Sequence, residues 1–203
     1  KIDAHLVNFR TLSDAKADMS VSVADVDVDF FQAVWPRDLA KRTYGWVRKH
    51  ISEGVISSGK IHLAIDGAER PESRVTDITG TVELEKTSFK LYPDMDPFRQ
   101  VDATLVFANN LLRVTAKQTN QPAFGVKNAN VTLSPLYNPD RHSRALDISL
   151  ALSGELSPLL TILDHPRINR LVETGLSPLT STGITEATFS ATGTVKPGQK
   201  FVL

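Results

Sequence analysis

The sequence predicts a mainly β protein, an antiparallel curved sheet or open groove carrying one amphipathic helix and short helical turns. Three observations carry that prediction. Apolar residues recur with a period of two in segment after segment, the spacing that puts alternate side chains on opposite faces of a strand. Glycine, proline and paired asparagine fall between most of those segments, where the chain has to turn. Helical periodicity occurs in only two places, too few to supply the crossovers of a βαβ fold, so an antiparallel meander of eight or nine strands is expected.

Taken in order, the first strand candidates are residues 3–9 and 18–28. A helix is expected next, from about Pro36 to Ile51, with Leu39, Thr43, Trp46, Val47 and Ile51 on one stripe. Pro36 suits the first helical position, where its missing N–H costs nothing. Asp38 lies near the positive end of the helix dipole, Arg48 and Lys49 near the negative end, and Gly54 is placed to stop the helix. Gly45, inside the pattern, costs about 1 kcal/mol relative to alanine. Arg37, Lys41, Arg42, Arg48 and Lys49 give this helix a basic face that could touch acidic lipid head groups. The simpler expectation leaves those charges in water and packs Trp46 onto the sheet.

Strands 59–66 and 75–91 follow, separated by the Gly67 to Pro71 break. Beyond Tyr92-Pro93, Val101, Ala103, Leu105 and Phe107 share one face of a strand over 101–107. Asn109-Asn110 is the turn candidate, because asparagine tolerates positive φ, and Leu112, Val114 and Ala116 resume the period, completing a hairpin. A strand over 123–134 ends before Pro135 to Pro139. The clearest strand is 146–153, where Leu146, Ile148, Leu150 and Leu152 alternate with Asp147, Ser149, Ala151 and Ser153. A second helical patch, 157–174, reads as two short helices. Ser157 is placed to cap a turn from Pro158, Asp164 or His165 to cap another from Pro166, and Gly175 to end the patch. Residues 184–195 are the last strand candidate.

Composition narrows the function classes. The chain has 203 residues with 23 basic and 23 acidic side chains, so no basic surplus favours a nucleic-acid partner. It has no cysteine, which excludes disulfides, thiolate metal sites and cysteine catalysis. No run approaches the roughly 18 apolar residues of a membrane-spanning helix. The chain opens on Lys1 and reads as a segment of something longer, with any membrane anchor outside it. A loose internal echo (proline, helix, glycine, short link, alternating strand) divides residues 1–203 into two β-helix-β sub-repeats, about 1–92 and 93–203, beside the plainer reading of one β-rich segment.

Chemistry is sparse. The histidines at 5, 50, 62, 142 and 165 are scattered, without the spacing that holds a metal. Asp94 and Asp96 sit between two prolines and read as solvated acids in a turn, since calcium requires more oxygen ligands than cluster there. Nucleophile elbows, phosphate loops and dinucleotide fingerprints do not occur. The Asn130-Val131-Thr132 sequon falls within an alternating strand, where chance explains it better than glycosylation. Neither catalytic residues, metal ligands nor a cofactor are therefore expected.

The order of several segments resembles the AsmA-like superfamily of Gram-negative envelope proteins, in particular its YhdP-type family, related to TamB. The residues that carry the likeness are Trp35-Pro36, Trp46-Val47, Gly54-Val55 with the strand 59–66, and Tyr92-Pro93-Asp94 before the hairpin 101–116. The run from Leu150 to Leu160 is similar to that family's strand leading into a short helix, whereas Asp164 to Arg167 is less apolar than the pattern. The resemblance implies a periplasmic β-groove protein, anchored in the inner membrane, that carries phospholipids between membranes and contributes to outer-membrane biogenesis.

On that footing the expected function is non-enzymatic lipid handling. Leu105, Phe107, Leu112, Val114, Leu146, Ile148, Leu150 and Leu152 would present an oily face to phospholipid acyl chains, and adjoining segments of the same longer chain would be the other partners. The alternative is a structural or protein-interaction domain of the envelope with these residues sealed in a closed apolar core. An ordinary sandwich needs the same alternation, so periodicity does not choose between the two.

Overall fold

A computed structural model of the chain describes residues 2–7, 16–34, 41–66, 74–118, 124–136, 144–166, 171 and 176–195. In chain order its elements are β1 (Ile2–Val7), β2 (Lys16–Asp27), α1 (Val28–Val34), α2 (Lys41–His50), β3 (Ile51–Ser52), β4 (Val55–Asp66) and β5 (Arg74–Phe89). There follow β6 (Phe98–Ala108), β7 (Leu111–Gln118), β8 (Phe124–Ser134), β9 (Arg144–Glu155), α3 (Leu156–Asp164) and β10 (Ile184–Val195). The long strands form one antiparallel sheet in the order β1-β2-β4-β5-β6-β7-β8-β9-β10, and β3 pairs with the end of β5. The path runs from β1 to β10 without closing, so the predicted mainly β, antiparallel class is the observed one.

The hairpin at Asn109-Asn110 shows how local chemistry sets register. Both residues have positive φ, 51° and 60°, and the flanking Ala108 and Leu111 are paired. Those are the dihedral signs of the two-residue turn whose twist matches the strands it joins. The remaining strand candidates all correspond to observed strands, with ends shifted by a few residues.

The helices depart further from expectation. Val26, Val28 and Phe30 alternate with Asp25, Asp27 and Asp29 and so continue a strand pattern, yet the chain enters α1 at Val28. Distant groups hold it there: the Val28 N–H donates to Gly54 O at 3.1 Å and Gln32 Nε2 donates to Ile51 O at 2.9 Å. The helix expected over 36–51 is observed as α2 over Lys41–His50, while Ile51 already belongs to β3. Pro36, Asp38 and Leu39 lie outside the described residues. Trp46 does not bury itself on the sheet. It stays 49% exposed, stacked on His50 at 4.8 Å between ring centroids and 6.4 Å from Phe89.

Ser157 does not cap α3. Glu155 holds the cap position without a side-chain bond, and Ser157 Oγ donates instead to Pro178 O at 2.7 Å, tying α3 to the segment before β10. The second short helix expected from Pro166 falls largely outside the described residues.

Both helical insertions stand at one end of the sheet, α1 and α2 between β2 and β4, α3 between β9 and β10. The packed core lies there too. One cluster joins Val28, Ile56 and Leu84, with Phe31, Ile51 and Leu105 against it. The other joins Phe124, Val126, Leu152 and Leu159, with Phe98, Leu150 and Ile162 against it. Between them the buried Gln118 acts as a clasp: its Nε2 donates to Arg99 O and its Oε1 accepts from the Val126 N–H, both at 2.7 Å. A buried amide with both ends satisfied joins β6 to β8 past the end of β7, its two hydrogen bonds offsetting the cost of desolvating it.

Candidate functional site: the apolar face of the sheet

Directly paired residues of an antiparallel ladder share a face, so register decides which side chains meet. Phe107 pairs with Leu112, Leu112 with Leu133, and Leu133 with Leu146. Two residues along, Leu105 pairs with Val114, Val114 with Val131, and Val131 with Ile148. Ala103, Ala116, Ala129 and Leu150 form the next row. All eight residues singled out from sequence therefore lie on one face.

The rows continue beyond those four strands. Towards β2 the second row runs through Val82 and Gly59 to Val23, and the third through Leu84 and Ile56 to Val26. On β10 the rows end in Ala191 and Phe189. Bulges interrupt the β4–β5, β5–β6 and β8–β9 ladders but leave the apolar positions in step: Val126 still meets Leu152 across the shift at Lys127.

The opposite face is polar in the same register. Thr104, Thr115, Asn130, Ser149 and Ser190 make one row, and Val106, Arg113, Thr132, Asp147 and Thr192 the next.

Burial divides the apolar face in two. At the helix end Leu152 is 3% exposed inside a packed cluster, while Leu105 and Leu150 border the clusters. Phe107, Leu112, Val114, Leu146 and Ile148 belong to neither cluster and are half-buried. Among the described residues no second layer packs over these five, so neighbouring side chains on the same face supply their shielding. Among the described residues the oily face is thus packed over at one end and has no second layer along the rest. Leu152, expected among the lipid-facing residues, sits on the sealed side of that boundary.

Titratable groups offer little chemistry. On the polar face Ser20 Oγ is 3.2 Å from His62 Nδ1, and His62 Nε2 is 3.6 Å from Asp18 Oδ1. That grouping carries the residue types of a hydrolase triad, but it lies on paired strands whose backbone N–H groups are committed to the ladders of β2 and β4. Those backbone N–H groups are therefore not free to hold an oxyanion. No group of three or more metal-ligating side chains occurs among the described residues.

Glu53, in the β3–β4 turn, accepts from Ser88 Oγ at 2.5 Å and from Arg99 Nη1 at 2.9 Å. The Ser88 hydroxyl first, and then Arg99, hold its carboxyl below the ordinary value of 4.5. Its partners come from β5 and β6, so it fastens the helix end. A cleft of about 270 Å³ across β8–β10 is lined by Lys127, Ala151, Leu152, Glu186, Ala187 and Thr188. The 3.2 Å Lys127–Glu186 ion pair lies along it.

Sequence reasoning missed the Gln118 clasp and the Glu53–Ser88–Arg99 group, since nothing in their local pattern shows which strands become neighbours. Fold and site together define a class: an open antiparallel sheet, apolar on one face and polar on the other, with helices at one end. Comparison with protein families, with curated proteins and with solved structures gives no match for this chain.

Proposed function

We propose that this chain is a non-enzymatic lipid-handling segment whose uncovered apolar sheet face takes phospholipid acyl chains. One observation carries the reading: a face apolar in three successive rows from β2 to β9 is packed over, among the described residues, only at the helix end. A soluble domain ordinarily covers such a face, and a large uncovered apolar patch marks an interaction site. Acyl chains suit it because they require contact area and no polar partner. Burying a methylene is worth about 0.8 kcal/mol, so ten of them contribute roughly 8 kcal/mol against the cost of immobilising the lipid.

The resemblance to AsmA-like envelope proteins supports the same reading and extends it to intermembrane phospholipid transport in the periplasm, by a protein anchored to the inner membrane. On this reading adjoining segments of the longer chain continue the groove, and nucleic acid is not a partner. The test is native mass spectrometry of the purified chain with lipid extraction. Co-purifying phospholipid that exchanges with added vesicles is the expected result; a chain that emerges lipid-free and takes up none from vesicles counts against the groove.

A further inference from the structure

We propose that the outer edge of β10 joins two copies of this chain, with β10 pairing antiparallel to β10 of the second copy. The sheet does not close, so each of its two end strands offers one row of backbone N–H and C=O groups. All twelve residues of β10 pair with β9 in an unbroken register, and among the described residues no strand lies on its other side. That edge is roughly 40 Å long at about 3.4 Å per residue. An added strand is the partner such a row fits.

Edge strands are ordinarily guarded by lysine, by proline, by a bulge or by being short. The other end strand, β1, has six residues and includes Asp3. Strand β10 lacks every one of these devices: Thr188 to Val195 contain no charge and no proline, and threonine recurs along them. Its one charged residue, Glu186, is drawn towards β8 by the 3.2 Å ion pair with Lys127.

The pattern of β10 itself selects a second copy as the occupant. With Ser190 on the two-fold axis, Thr188 meets Thr192, Glu186 meets Thr194, Phe189 meets Ala191 and Ala187 meets Gly193. Hydroxyl pairs then lie on the polar face, and the Phe189 ring lies beside a methyl group on the apolar one. Moving the register by two residues sets Glu186 opposite Thr192 or past the end of the strand, so the carboxylate never faces its copy. Pairing with β1 of another copy would cover only half of β10. Like edges also close as a dimer, whereas unlike edges build an open array.

The axis of such a pair stands perpendicular to the sheet and keeps both apolar faces on one side, so the rows ending in Ala191 and Phe189 run on into the second copy. The outer edge of β1 is left to adjoining segments. The pairing does not rest on the acyl-chain reading, because molar mass tests the one and lipid content the other. The experiment is size-exclusion chromatography with light scattering on the 203-residue chain over a range of concentrations. A species of twice 22.3 kDa that grows with concentration is expected. Thr188→Lys with Ser190→Lys and Thr192→Lys sets ammonium groups opposite one another in each of these registers. It should weaken the dimer about tenfold or more, with circular dichroism unchanged. Thr81→Lys with Thr115→Lys, exposed on the same face of interior strands, should leave the dimer intact. The chain has no cysteine, so Ser190→Cys should be cross-linked between copies by a short bis-maleimide and Thr115→Cys should not. Where the lysines disturb folding, the cross-link alone decides.

A chain that is monomeric at every concentration overturns the proposal. So does a dimer that the β10 lysines leave intact, which would move the interface to another surface such as the apolar face. Equal weakening by the Thr81 and Thr115 lysines, or a dimer without the Ser190→Cys cross-link, overturns it too. A monomer whose β10 amides all resist hydrogen exchange would assign the edge to another segment of the same chain and overturn it as well.

Discussion

The phenol ring of Tyr92 lies on the imidazole of His165, their centroids 5.4 Å apart and their planes 4° from parallel. Tyr92 belongs to the turn between β5 and β6, which the Met95 N–H closes by donating to Tyr92 O at 3.0 Å. His165 directly follows α3, and its Nε2 also stands 3.7 Å from Asp94 Oδ2. The stack therefore links the middle of the sheet to the connection before its last strand. His165→Ala should lower stability by about 0.5–1.5 kcal/mol, the range for a stacked ring pair. His62→Ala, on the exposed polar face, should cost less. Urea denaturation of the two variants side by side checks the difference.

The boundary between the sealed and uncovered parts of the apolar face makes a sharper prediction. Ile148 and Leu152 are four residues apart on one face of β9, so period alone treats them alike. Leu152→Asp should bury an unpaired charge in a packed cluster, at a cost on the order of several kcal/mol, and abolish folding. Ile148→Asp should fold with a modest penalty and lose co-purifying lipid. Ser149→Asp, on the polar face, is the control. Circular dichroism with lipid extraction reads all three, and an Ile148→Asp variant that folds with its lipid content unchanged would count against the groove.

Glu53 predicts a pH dependence. Its folded pKa lies below 4.5, held there by Ser88 and Arg99, so the unfolded chain binds the proton more readily than the folded one. The stability it contributes is therefore present above the unfolded value and is lost as pH falls through the folded value. Melting curves below neutrality should show a steeper acid decline for the unmodified chain than for Glu53→Gln. Above pH 6 the variant should be the less stable of the two, because the Arg99 pairing is gone.

Gly54 follows Glu53 in the same turn with φ +77°, a conformation that disfavours any residue with a Cβ. A Cβ there would come within 2.5 Å of Glu85 O and 2.7 Å of Thr87 N, both backbone atoms of the β5 bulge. Gly54→Ala should therefore lower stability by roughly 1–3 kcal/mol, the cost of a strained backbone conformation together with the shift those contacts demand. Gly45, with open space around its missing Cβ inside α2, should gain stability on replacement by alanine, by up to about 1 kcal/mol. Thermal melts of the two alanine variants should move in opposite directions.

By itself the sequence determined everything that depends on neighbours along the chain. Period-two alternation placed nearly every strand, and Asn109-Asn110 set the β6–β7 hairpin, whose register follows from local dihedrals. The same alternation put Leu105, Phe107, Leu112, Val114, Leu146, Ile148, Leu150 and Leu152 on common strand faces, which pairing then merged into one. Tertiary structure decided the rest. Helix α1 forms in a run of β-type alternation because Gly54 and Ile51 supply its distant partners, Ser157 leaves a cap position for Pro178, and Trp46 remains half in water. It also decided that Leu152 is core while Ile148, half-buried, lies outside both packed clusters of the described residues. Period specifies only which way a side chain points, whereas burial depends on what arrives over that face, and α3 arrives over one end alone.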